Sequence, residues 1–125
     1  MYQLLLVALG GGLGAALRHL SGIAALRLFG AGFPYGTMFV NVVGSFVMGV
    51  FIELLARRFG ASADLRLFFA TGVLGGFTTF SSFSLDTAFL TERGDLMLAA
   101  VYVIGSVVIG IAALFAGLAI VRALA

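Results

Sequence analysis

Residues 75–84 read GGFTTFSSFS, and this run lies between Arg66 and Asp86 in a charge-free stretch long enough to cross a membrane. Two adjacent glycines loosen a helix where lipid forbids loosening, unless the freed backbone faces protein, water or an ion. Hydroxyls and phenyl rings then interleave: Thr78, Thr79, Ser81, Ser82 and Ser84 put five hydroxyls into seven positions. A lipid-facing helix has no use for them, whereas a path for a small polar species does. Phe77, Phe80 and Phe83 recur at i, i+3 and i+6, which predicts one helical face. An aromatic ring is positive at its edge. The stripe therefore reads either as ordinary packing or as ring edges lining an anion path without the deep trap of a full charge.

Other residues add donors. Asn41 carries two amide N–H groups, which are costly in a span unless used. They serve an interhelical hydrogen bond or a permeating ion, and Gly44 one turn later leaves space beside them. Ser45, Thr71, Thr79, Ser81, Tyr102 and Ser106 extend the donor inventory. Interior carboxylates are missing from the first, second and fourth spans, and Asp86 lies only near the end of the third. Donors without buried acids suit an anion. They disfavour a small multidrug or cation exporter, which exchanges a proton on an intramembrane acid. A structural subunit of a larger membrane complex stays open as a further alternative, and the hydroxyl density argues against it.

Two features have double readings. Gly75, Gly76 and Thr78 mark a helix break whose freed carbonyls hold a cation such as Na⁺, or they ease a helix contact with no ion. Arg18 interrupts the first span, where its guanidinium either snorkels to the interface or lines a watery vestibule and concentrates anions. His19 beside it reads as interfacial.

Enzyme chemistry finds no support. One His and no Cys cannot build a His/Cys metal cluster, and no paired carboxylates face each other in a span. Gly10, Gly12 and Ala15 match a dinucleotide-binding G-x-G-x-x-A, but there is no βαβ unit and no acid about 20 residues on to hold a ribose. A net charge of +2 is too small to argue for nucleic acid.

The elements that position these residues follow from composition. The chain is 62% hydrophobic and 10% charged, against roughly 25% charged in a soluble domain. It reads as one all-α membrane domain over residues 1–125. Spans are predicted at about 2–29, 36–55, 66–90 and 96–122, with the third helix broken. The first segment lacks a basic n-region and continues past Arg18, so it reads as a span and not a signal peptide. Pro34 suits a loop or a first helical turn. Asp95 precedes an apolar run as a cap does. Gly10 with Gly14, and Gly72 with Gly76, are spaced for close helix packing. Loop arginines divide weakly: Arg57, Arg58, Arg66 and Arg122 on one face against Arg27 and Arg93 on the other, with Arg18 nearer the second. So slight a bias predicts insertion in both orientations and pairing of opposite copies about a two-fold axis.

These residues resemble the small bacterial fluoride channels of the Fluc/CrcB family. The matching segments are GGGLGAALRH (10–19), GTMFVNVVGSFVMG (36–49), TGVLGGFTTFSSFS (71–84) and the sparse pattern of Tyr102, Ser106 and Gly110. All four spans are covered in order. The resemblance implies a passive, fluoride-selective channel that exports fluoride from the cytoplasm and limits its toxicity. It implies a multi-pass protein of the bacterial inner membrane, an antiparallel dual-topology homodimer with two pores. The family's pore asparagine falls on Asn41 and its pore phenylalanines on Phe80 and Phe83. Its polar track falls on Thr79, Ser81, Tyr102 and Ser106, and its vestibule arginine on Arg18. A structural Na⁺ at the dimer interface is implied on the backbone carbonyls of Gly75 and Thr78. One position departs: Asp86 stands where Glu is expected.

Overall fold

The computed structural model describes residues 1–124. Helix α1 spans Tyr2–Phe29 and α2 spans Tyr35–Arg58. The third span runs Ala63–Glu92. It divides into α3, residues 63–77, and α4, Phe80–Glu92. Helix α5 spans Leu96–Leu124. Among the described residues four segments are long and apolar enough to cross a membrane. At 1.5 Å per residue the 28 residues of α1 reach roughly 42 Å, which exceeds a hydrocarbon core of about 30 Å and leaves ends for the headgroup region.

Pro34 is the cap just ahead of α2, where its missing N–H costs nothing. Gly30, Gly60 and Gly94 take positive φ in the three connections.

The helices associate as two glycine-clasped pairs. A Cβ on Gly14 of α1 would collide with the Val73 carbonyl of α3, and one on Gly76 would collide with the Gly11 carbonyl. On the other side, Gly49 of α2 abuts the Leu114 carbonyl and Gly117 of α5 abuts Phe46. Lipid supplies no hydrophobic drive between helices, so backbones that approach this closely gain dispersion contacts instead. A small buried cluster of Leu90, Ala99 and Tyr102 joins α4 to α5, with Phe33, Met38 and Phe83 packed on it. At one end Glu53 binds Arg57 at 2.9 Å and Arg122 at 2.8 Å, tying α2 to α5.

Two features of the third span differ from the sequence expectation. Residues Arg66–Leu74 form wide π-type turns, which no periodicity announced. The break itself lies at Thr78 and Thr79, both extended, while Gly75 and Gly76 remain helical. The second glycine of the pair is spent on packing. Gly76 lets α1 approach, and the chain turns only beyond Phe77.

Candidate functional site

The site is built around that break. Thr78 (φ −88°, ψ 158°) and Thr79 (φ −154°, ψ 120°) interrupt the helical ladder and leave backbone groups that lipid cannot satisfy. Each end is closed by a different device. Thr78 turns its own N–H and its hydroxyl onto the Leu74 carbonyl, at 3.0 and 2.9 Å. Arg18 donates from Nε to the Gly76 carbonyl at 3.0 Å. Thr79 caps α4, its hydroxyl accepting from the Ser82 N–H at 3.1 Å.

Asn41 closes the middle. Its Nδ2 donates to the Thr79 carbonyl at 3.0 Å, and its Oδ1 accepts from the Thr79 N–H at 2.7 Å. The amide thus pairs with both backbone groups of Thr79 as a residue on a neighbouring strand would. Gly44, one turn on, makes this possible, because a Cβ there would collide with the Thr78 methyl. Among the described residues the Gly75 and Thr78 carbonyls accept no hydrogen bond. Backbone oxygens left free at a helix break are the hard ligands that a cation such as Na⁺ takes.

Two clefts meet at Thr79. One, about 280 Å³, is lined by Asn41, Ser45, Thr78 and Phe80 among others. The other, about 320 Å³, includes Arg18, His19, Thr37 and Ser82. Thr79 lines both. The Ser81 hydroxyl lies 3.3 Å from the Thr79 hydroxyl, on the same surface.

Phe80 is 78% exposed and its ring centre lies 5.7 Å from that of Phe83. Phe83 in turn stands 5.1 Å from Tyr102. The three-ring stripe expected from the i, i+3, i+6 spacing does not form. The break separates Phe77 from the others, and Phe77 packs against Gly44 of α2. Two hydroxyls of the run also look inward: Ser84 donates to the Phe80 carbonyl at 3.0 Å and Thr78 to Leu74.

Tyr102 is fully buried, and its hydroxyl donates to Asp86 at 3.1 Å. The sequence marked both residues without joining them, since they lie on different helices. A carboxylate inside a span and a tyrosine on the next one are the signal that finds the pair. Ser106, one turn beyond Tyr102, carries a buried hydroxyl with no partner among the described residues. The structure therefore gathers Asn41, Thr79, Ser81, Phe80 and Arg18 around the break. Phe83, Tyr102 and Ser106 lie beside it along α4 and α5.

A model of the family described as "CrcB-like protein, Camphor Resistance (CrcB)" matches residues 5–118. Among curated proteins, the chain is similar to the fluoride-specific ion channel FluC of Agrobacterium fabrum, 57% identical over 122 residues and 98% of each chain. It is similar to the protein of the same name from Rhizobium leguminosarum bv. trifolii, 58% identical over the full length of both. The fluoride-specific ion channel FluC 2 of Nitrobacter hamburgensis is 58% identical over 94% of this chain and 95% of its own.

Proposed function

The chain belongs to the CrcB-like family, and from that premise we propose the function its site supports best. It is a passive, fluoride-selective ion channel and not an enzyme. It exports fluoride from the cytoplasm across the bacterial inner membrane, which limits fluoride toxicity.

The observation that carries the mechanism is the convergence of donors on the helix break. Fluoride is strongly hydrated, so a selective path must replace water with several weak sites that also let the ion leave. The second N–H of Asn41, the hydroxyls of Thr79 and Ser81 and the ring edges of Phe80 and Phe83 supply such sites in sequence. Ser106 continues the donor line on α5, while Tyr102, whose hydroxyl donates to Asp86, supports the Phe83 ring. None carries a full charge, so none traps the anion.

The working unit is an antiparallel homodimer of oppositely inserted copies in lipid. The exposed Phe80 ring and the free Gly75 and Thr78 carbonyls support this reading, since lipid satisfies neither a carbonyl nor an open polar cleft. The Gly75 and Thr78 carbonyls would hold a Na⁺, which would supply positive charge against their partial negative charge at the break.

Fluoride efflux from liposomes that contain the purified protein tests the function. The expected result is rapid fluoride release down its own concentration gradient, with no proton gradient or other coupled substrate required. Folded dimer that releases no fluoride would refute it.

A further inference from the structure

Arg18 lies within one turn of the midpoint of α1, where an unpaired guanidinium is expensive. Its side chain reaches across to the third span. It is partly buried, with Nε on the Gly76 carbonyl at 3.0 Å. In an unbroken helix that carbonyl would receive the N–H of Phe80. The break at Thr78 and Thr79 removes Phe80 from reach, so Gly76 is orphaned by the very feature that makes the site. Neighbouring groups are already engaged: Thr78 serves Leu74 and Asn41 serves Thr79. The carbonyl end of a helix also carries partial negative charge, which a guanidinium offsets.

We propose that Arg18 is a positioning residue for conduction, a trans-helix cap on the end of α3, beyond any service as a lure for anions. By holding Gly76 it fixes where α3 stops, and therefore where Thr79 meets Asn41 and where Phe80 starts. It also decides which carbonyls stay free, withdrawing Gly76 and leaving Gly75 and Thr78. This inference rests on the channel reading for its consequence, but not for its geometry.

Side-chain chemistry separates a cap from a lure. Gln carries Nε2 as many bonds from the backbone as Arg carries Nε, without charge. Lys keeps the charge but puts carbon at that position. Met keeps the length and has neither. A lure ranks Lys above Gln, whereas a cap ranks Gln above Lys and Met.

The test uses the full-length protein with R18Q, R18K and R18M. Amide hydrogen exchange at Thr78 and Thr79 is measured first. Exchange is expected to be roughly fivefold faster in R18M than in R18Q, the size of effect that losing a neutral hydrogen bond of about 1 kcal/mol gives. In liposomes, fluoride efflux is expected to be on the order of tenfold faster through R18Q than through R18M or R18K, because the cap returns without the charge. Equal exchange in R18Q and R18M, or efflux through R18K that exceeds R18Q, overturns the proposal. Should R18M fail to fold, R18K takes its place, and exchange in R18K no faster than in R18Q is the overturning result. Exchange reads the cap even if the wild-type protein carries no fluoride, so failure of the channel reading remains distinguishable.

Discussion

Asn41 and the Thr79 peptide exchange two hydrogen bonds, one at 3.0 Å from Nδ2 to the carbonyl and one at 2.7 Å from the peptide N–H to Oδ1. A single side chain on α2 thereby bonds both backbone groups of Thr79, one from each of the two peptides that flank its Cα. It does so while keeping one amide N–H for an ion. In the proposed mechanism, stability and conduction are therefore coupled at this residue.

Asn41→Asp separates the two roles poorly and Asn41→Ala removes both. Each of the two bonds costs about 1–2 kcal/mol to lose, because the group it orphans is only partly buried. Asn41→Ala is therefore expected to destabilise the protein by roughly 2–4 kcal/mol on the same scale. Its fluoride efflux should fall at least about tenfold, as 1.4 kcal/mol in a barrier does. Asn41→Asp keeps Oδ1 for the Thr79 N–H but faces the carbonyl with a second oxygen and puts negative charge in an anion path. It should conduct less than Asn41→Ala. Thermal unfolding and liposome efflux measured on the same preparations check the order, and an Asp variant that conducts faster than Ala contradicts it.

The two phenylalanines differ in what holds them. Phe80 is 78% exposed, whereas Phe83 packs on the buried Tyr102. Phe80→Ile is expected to cut efflux at least about tenfold with little change in the stability of the single chain, because it removes a ring edge and almost no packing. Phe83→Ile is expected to cut efflux and lower stability together, by about 1–2 kcal/mol for the reshaped contact. Wild-type efflux from Phe80→Ile would remove the aromatic rings from the mechanism.

The spans were legible because lipid imposes length and excludes charge, so the runs between Arg and Asp residues bound the helices with little ambiguity. Asn41 was legible as a costly donor, and Gly44 as the space beside it. The break was legible only in part, at Thr78. Gly75 and Gly76 looked like the weak point, yet both stay helical, the close approach of Gly11 makes Gly76 a packing residue, and two threonines carry the extended turn. Phe77 was misread for the same reason, since a helical spacing rule holds only while the helix continues. Tyr102 and Asp86, sixteen positions apart, meet through packing of α4 on α5. Local spacing carries no trace of such a contact.

The glycine clasps give a prediction that does not depend on ions. A methyl on Gly14 or Gly49 would enter a backbone carbonyl of the facing helix, whereas Gly12 and Gly22 have open space around the corresponding position. Gly14→Ala and Gly49→Ala should each destabilise by about 1–3 kcal/mol or more, the usual effect of overpacking where backbone must move. Gly12→Ala and Gly22→Ala should be neutral or slightly stabilising through helix propensity. Denaturation in detergent ranks the four. Equal effects at Gly12 and Gly14 would mean that α1 and α3 do not approach as described.

Removal of Na⁺ tests the free carbonyls of Gly75 and Thr78 directly. A cation that binds only the folded dimer stabilises it by RT ln(1 + [L]/Kd), so each tenfold rise in Na⁺ above the dissociation constant adds about 1.4 kcal/mol. Unfolding temperature should therefore climb with Na⁺ at constant ionic strength and fall when a large organic cation replaces it. The ligands are backbone oxygens, so Thr78→Ser, which keeps the carbonyl and the hydroxyl that bonds Leu74 at 2.9 Å, should preserve the response. Thr78→Pro leaves a carbonyl but removes the N–H that fixes the turn on Leu74, and the response should disappear with it. If stability is indifferent to Na⁺ across this series, the oxygens at the break are satisfied by the partner copy or by water instead.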